Sequence, residues 1–263
     1  MKRILLTSVA VIACAGSSAL AADMALKAPV YAPAFSWTGC YAGFNGGGAW
    51  NSTSYNIGHN DPALFPAFFN GAFASGATPS SYSLNTSGGI VGGQVGCNYQ
   101  SGPLVYGLEA DADWANLKGS EAINTAVPGF VRGSGYVSQN LESIATIRAR
   151  IGYAFDHLLI YGTGGIALGN TNDFYRFTFP LTNETYMNTY STNRNGWAAG
   201  AGAEYAFGYN WSLKLEGIYY QLDGSAFQAG AQTPSSPPGA AHIVTSNADT
   251  GWTLKVGLNY KVW

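Results

Sequence analysis

Along most of this chain apolar and polar positions alternate with a period of two, the signature of strands with two unlike faces. Eight such stretches stand out, at about 38–50, 87–99, 104–116, 141–155, 158–170, 196–207, 211–222 and 251–263. In the third, Leu104, Tyr106, Leu108, Ala110, Ala112 and Trp114 take one face, and Glu109, Asp111 and Asp113 the other. In the fourth, Ala145, Ile147, Ala149, Ile151 and Tyr153 alternate with Thr146, Arg148, Arg150 and Gly152. The sixth sets Trp197 to Tyr205 against Glu204, the seventh Leu213 and Leu215 against Lys214 and Glu216, and the eighth Leu254 to Tyr260 against Lys255 and Asn259.

The connections alternate too. Long polar segments at 51–85, 117–140, 171–195 and 223–250 are separated by short turns at 100–103, 156–157 and 208–210. Tight turns at one end and large loops at the other are the rhythm of an antiparallel transmembrane β-barrel. An even number of strands lets the sheet close and pair every backbone amide, as lipid requires. The pattern therefore predicts an all-β fold: eight antiparallel strands, short periplasmic turns and four long extracellular loops. In such a barrel the apolar faces meet lipid. Glu109, Asp111, Asp113, Arg148, Arg150, Glu204, Lys214, Glu216 and Lys255 then point inward as a charge network. Eight strands enclose a lumen that side chains can fill, so paired interior charges serve as a polar core before they serve as an ion path.

Composition supports this. Charged residues make up only 10% and aromatic residues 14%, with 35 glycines. No mature segment is apolar over the ~18 residues a spanning helix needs. The first residues read as an export signal: Lys2 and Arg3, an apolar run at 4–13, and the small-residue site Ala19-Leu20-Ala21. Cleavage is expected after Ala21 or Ala22. Val11-Ile12-Ala13-Cys14 offers a lesser lipoprotein-type alternative. Residues 22–36, with Pro29 and Pro33, read as a periplasmic leader, and 37–263 as the barrel. Without Lys2 and Arg3 the chain holds 10 basic and 14 acidic side chains, a formal charge of −4 that does not suit nucleic acid.

Several segments together resemble the Omp25/Omp31-like outer-membrane β-barrel family of alphaproteobacteria, often called porin-family proteins. They are Trp37-Thr38-Gly39, Gly92-Gly93-Gln94, Gly107-Leu108-Glu109-Ala110-Asp111, Arg148-Ala149-Arg150-Ile151-Gly152-Tyr153, Tyr161-Gly162-Thr163-Gly164-Gly165, Lys214-Leu215-Glu216 and Gly257-Leu258-Asn259-Tyr260. The resemblance implies an OmpA/OmpX-like barrel in the outer membrane of a Gram-negative bacterium. Its partners would be outer-membrane lipids and lipopolysaccharide, with periplasmic chaperones and the barrel-assembly machinery during insertion. It leaves the oligomeric state open. Two features depart from the family. The terminal aromatic is out of phase, since Val262 and not Trp263 continues the face of Tyr260. Cys40 and Cys97 stand where aromatics are usual, near the start of strand one and the end of strand two. Antiparallel pairing brings those ends together in the oxidising periplasm. The two cysteines are expected either as a cross-strand disulfide or as two buried thiols.

No catalytic constellation, cofactor motif or metal-ligand spacing stands out. Gly162-Thr163-Gly164-Gly165 runs on into strand and opens no helix, so it does not read as a phosphate loop. His157 falls on the turn side. His59 and His242 fall on loops one and four, adjacent across the barrel seam, with Phe65, Phe68 and Phe69 nearby in loop one. They are a candidate loop site for a ligand such as haem. Three readings follow: a structural, surface-exposed barrel; a narrow porin-like channel; or ligand or host-surface capture by the loops. An enzyme is not expected.

Overall fold

The computed structural model describes residues 35–59, 80–126, 132–179, 183–208, 210–232 and 241–262. The export signal, the leader before Phe35, Phe65, Phe68, Phe69, the proline run at 234–238 and Trp263 lie outside the described residues. The described chain forms one antiparallel sheet. Its strands are β1 (Gly39–His59), β2 (Ser81–Ser101), β3 (Leu104–Ala126), β4 (Arg132–Phe155), β5 (Leu158–Phe179), β6 (Glu184–Phe207), β7 (Trp211–Leu222), β8 (Ser225–Ala231), β9 (Ala241–Ser246) and β10 (Asp249–Lys261).

Eight strands close a ring. Consecutive strands from β1 to β7 pair with one another, and β10 pairs with both β7 and β1. The closing seam runs in continuous register from Tyr41↔Lys261 to Ser52↔Thr250. The outer surface of this ring is apolar. Phe44, Val91, Val95, Leu108, Ile147, Ile151, Leu215 and Leu254 are all at least half exposed, the outward apolar band that a membrane barrel turns to lipid. Rings edge the band at both ends. Tyr99, Tyr153, Phe155, Tyr205 and Trp211 mark the turn side, and Trp50, Trp114, Trp197 and Trp252 the loop side. Such girdles sit at the two membrane interfaces. The short turns use left-handed residues, Gly102 (φ 59°), Asp156 (φ 56°) and Gly208 (φ 71°). Inside the wall, the crossing at Gly47 admits no side chain, because a Cβ there would stand 1.9 Å from the Leu254 carbonyl oxygen.

One expectation is corrected. Much of the four long segments continues as strand. β1 runs on to His59 and β2 begins at Ser81; β3 extends to Ala126, β5 to Phe179, and β6 starts at Glu184. The fourth segment carries β8 and β9. They continue the wall above β7 and β10, β9 pairing with β1 and β8 with β9, and β8 touching β6 at Tyr186↔Ala231 and Met187↔Gly230. The reason is an alternation of opposite sense. Beyond the tryptophans many inward positions are apolar or aromatic (Tyr55, Leu84, Ile123, Val137, Tyr175, Phe177), while Ser54, Ser83, Asn85, Asn170 and Asn172 turn outward. A bulge at Glu142 shifts the phase within β4, so that Leu141 and Ile144, three residues apart, both face inward.

Candidate functional site: the filled lumen

The inward residues form layers from the turn-side mouth to the loop side. At the mouth the segment before β1 folds under the barrel. Trp37 is buried among Val105, Leu159, Tyr161 and Ala206. Its indole N–H donates to the Asp156 carbonyl at 3.0 Å and its backbone N–H to Gln100 Oε1 at 2.7 Å. The backbone N–H of Phe35 donates to Asp156 Oδ1 at 3.1 Å. These bonds tie the N-terminal end of β1 to the β4–β5 turn on the far side of the ring.

Above Trp37 stands the charged layer. All nine residues that the alternation turns inward are here, none more than 5% exposed. Arg148 is its hub. Its guanidinium meets Glu109 at 2.8 Å, Asp111 at 2.8 Å and Glu216 at 3.0 Å. Lys214 reaches Glu109 at 2.9 Å, and Lys255 bridges Asp111 at 2.9 Å and Asp113 at 3.0 Å. Arg150 pairs with Glu204 at 2.7 Å and lies 4.1 Å from the centre of the Tyr161 ring. Two tyrosines complete the set: the Tyr41 hydroxyl donates to Glu109 Oε2 at 2.6 Å and the Tyr161 hydroxyl to Glu216 Oε1 at 3.0 Å. The sequence pairs the charges of β3 with those of neighbouring β4. The structure also joins both strands across the lumen to β7, which period-two reading cannot foresee because it gives a face and not a reach.

Next comes an apolar layer of Ile90, Leu117, Leu141, Ile144, Ile218 and Leu222. A second polar layer follows that the sequence reading missed. Arg194 pairs with Asp173 at 2.5 Å and with Asp249 at 3.0 Å. Gln139 donates to both carboxylates at 3.1 Å, Tyr55 donates to Asp173 at 2.8 Å, and Thr53 bonds Asp249. These residues lie in segments read as loops. Their outward neighbours Asn140, Asn172, Asn193 and Asn195 are polar too, so alternation offers no signal for them. The outermost layer is aromatic, with Tyr82, Tyr175, Phe177, Tyr186 and Phe227 packed together.

The candidate histidines divide. His59 and His242 lie on strands, as register partners between β1 and β9, which corrects their assignment to loops. His242 is buried, its Nδ1 sharing a 2.7 Å hydrogen bond with the Tyr175 hydroxyl and its ring stacked on Tyr186 at 4.2 Å. His157 sits at the turn-side rim, 3.6 Å from the Asp156 carboxylate. Cys40 and Cys97 are register partners joined by a disulfide, Sγ–Sγ 2.03 Å, near the turn-side rim. Among the described residues no group of three or more His, Cys, Asp or Glu side chains is arranged to hold a metal ion.

A family model described as the outer membrane protein beta-barrel domain matches residues 9–235. The chain belongs to this outer-membrane β-barrel family. It is similar to the 31 kDa outer-membrane immunogenic protein of Brucella melitensis biotype 1, with 35% identity over 278 residues, spanning 99% of this chain and 100% of that protein. It is also similar to the 25 kDa outer-membrane immunogenic protein of Brucella abortus biovar 1, at 28% over 238 residues, spanning 90% and 84%. Among solved structures it is similar to the outer membrane protein OprG from Pseudomonas aeruginosa, with a TM-score of 0.46 and 13% identity over 87% of this chain and 99% of that one. This member of the family is an Omp25/Omp31-like outer-membrane β-barrel protein.

Proposed function

We propose that this protein is a structural, surface-exposed and non-enzymatic barrel. It supports the integrity of the outer membrane, among whose lipids and lipopolysaccharide it stands, and holds its loops outward. Insertion by the barrel-assembly machinery goes with this reading.

The observation that carries the proposal is the set of bonds across the lumen. Arg148 on β4 meets Glu216 on β7 at 3.0 Å, and Lys214 on β7 meets Glu109 on β3 at 2.9 Å. Side chains that touch across an eight-stranded ring support a filled interior rather than an open water column. The Trp37 layer below and the aliphatic layer above occlude the same axis. The buried carboxylates are engaged by cations or hydroxyls, which suits a structural core better than acid–base chemistry. The loop-capture reading gains no support from His242, which is already engaged by Tyr175 and Tyr186.

Planar-bilayer recordings on the refolded mature chain test the proposal. The expected trace stays closed in samples whose folding is verified by heat-dependent migration on a gel. Reproducible unitary steps would overturn it in favour of the narrow channel.

A further inference from the structure

The wall above the tryptophans is not joined evenly. β7 and β10 pair as far as Leu222↔Asp249, and β8 and β9 resume the pairing at Ser225↔Ser246. Between these points two residues on each strand leave the ladder, Asp223-Gly224 on one and Asn247-Ala248 on the other. The alternation slips there too. Leu222 and Phe227 both face inward although five residues apart, as do Ser246 and Asp249, three apart. Gly224 permits the close crossing of the two strands, since a Cβ there would stand 2.3 Å from the Ser246 carbonyl oxygen. β8 and β9 thus form a leaf of their own, attached to the ring through two breaks that lie opposite each other.

The two flanks of the leaf differ. On one side β9 pairs with β1 without interruption from Tyr55↔Ser246 to His59↔His242. On the other, β8 pairs with β6 only at its far end, at Tyr186↔Ala231 and Met187↔Gly230. Gln232 adds bonds there to the Thr185 and Met187 carbonyls. At the base the Asp223 N–H donates to the Asn195 carbonyl at 2.7 Å. Between these ends, residues 188–194 of β6 have no ladder partner on the β8 side. Side chains close the slit instead. Asn188 Nδ2 donates to the Gln228 carbonyl at 2.7 Å, and the Tyr190 ring stacks on Phe227 at 5.3 Å. Water can satisfy open backbone groups above the bilayer, so an unmade ladder is tolerated here and not in the lipid band. Behind the slit lies the aromatic layer, with Tyr186, Phe227, Ala229 and Val244.

We propose that the β8–β9 leaf is a hinged flap, rooted on β1, that swings away from β6 and opens a side entrance into the aromatic layer. The breaks at 223–224 and 247–248 absorb the rotation. The β8–β9 and β9–β1 ladders stay whole. Opening parts only the far-end pairs, the Gln232 and Asn188 bonds and one ring stack, whereas the β6–β7 seam below is paired continuously from Gly196↔Leu222 to Phe207↔Trp211. The flap stands above the layers that fill the lumen, so its motion is independent of whether the barrel conducts, which the bilayer recordings decide separately.

Thiol labelling of the refolded mature chain in detergent tests it. Cys40 and Cys97 are bonded to each other, so an introduced cysteine supplies the reactive thiol. Ala229 on β8 and Ala198 on β6 are both buried on the inner face, the first behind the slit and the second within the closed ring. Ala229→Cys is expected to react with a small maleimide about tenfold or more faster than Ala198→Cys, because local opening outruns unfolding of the ring. Adding Phe227→Ala should speed Ala229→Cys by up to about tenfold, the worth of one aromatic pair, and leave Ala198→Cys unchanged. Spin labels on Thr189→Cys/Gln228→Cys, both exposed on either side of the slit, give a second reading that leaves the interior untouched. Their spectrum is expected to contain a dipole-broadened component and an unbroadened one. Equal labelling of the two alanine positions, equal acceleration of both by Phe227→Ala, or a single broadened spectrum would overturn the proposal.

Discussion

Arg148→Met removes the hub of the charged layer while keeping most of its length. The guanidinium is fully buried and pairs with Glu109, Asp111 and Glu216. Its partners would not suffer equally. Glu109 keeps Lys214, Arg150 and Tyr41, and Asp111 keeps Lys255 and Thr146. Glu216 keeps the Tyr161 hydroxyl at 3.0 Å and Lys214 only at 3.7 Å. The lower layer, now five carboxylates against four cations, would become five against three. Breaking one side of a buried ion pair typically costs about 3–5 kcal/mol. With a urea slope of ~1–3 kcal/mol per molar, the unfolding midpoint should fall by roughly 1 M or more. Tryptophan emission during urea unfolding in lipid vesicles measures this. Arg148→Met/Glu216→Met removes the stranded charge too, and should recover part of the loss, with a coupling of ~0.5–3 kcal/mol between the two sites. A destabilisation by Arg148→Met below about 1 kcal/mol, or strict additivity of the two substitutions, would refute the reasoning. Either would mean that water replaces the guanidinium and that the lumen is wet.

Three further outcomes are expected. Cys40→Ser/Cys97→Ser should lower stability by about 2–4 kcal/mol, and intact-mass measurement of the unreduced parent after alkylation in denaturant should show neither cysteine modified. Trp37→Ala should cost about 3–5 kcal/mol by emptying the turn-side layer, read as an earlier loss of heat-resistant migration. Ile147→Arg, in the lipid-facing band, should cost about 2–4 kcal/mol, whereas Ser83→Arg, outward but beyond the tryptophans, should stay within ~0.5 kcal/mol; equal costs would misplace the membrane boundary.

Much of this architecture was legible because a bilayer forces a simple rule on each strand. Where Leu104 to Trp114 alternate with Glu109, Asp111 and Asp113, apolar-out and polar-in is the sense that lipid allows, and face and strand number follow. Past Trp50, Trp114, Trp197 and Trp252 water lies outside the wall, and the rule reverses. Tyr55, Leu84, Val137 and Tyr175 then face inward, while Asn and Ser face out. Polar residues outside and scattered aromatics inside resemble a loop composition when the opposite sense is sought. Asp173, Arg194 and Asp249 went unnoticed for a different reason: their outward neighbours Asn172, Asn193, Asn195 and Thr250 are polar as well, so no alternation sets them apart. The bulge at Glu142 hid the change further by slipping the phase of β4. The pairing of Arg148 with Glu216 was illegible for another reason, since contacts across a lumen depend on strand stagger and side-chain length rather than on any local pattern.

The rise of the wall beyond the tryptophans has a consequence for how this surface can change. On β1 alone nine residues, 51–59, continue past Trp50, which at ~3.3 Å per residue and a tilt near 45° lifts the strand end roughly 20 Å clear of the interface. The outer end of β1 therefore stands well clear of the lipid surface. Lengthening or recoding a tip leaves the hydrogen-bond ladder in the bilayer as it was. What the surroundings meet can diverge freely while the anchorage below stays the same.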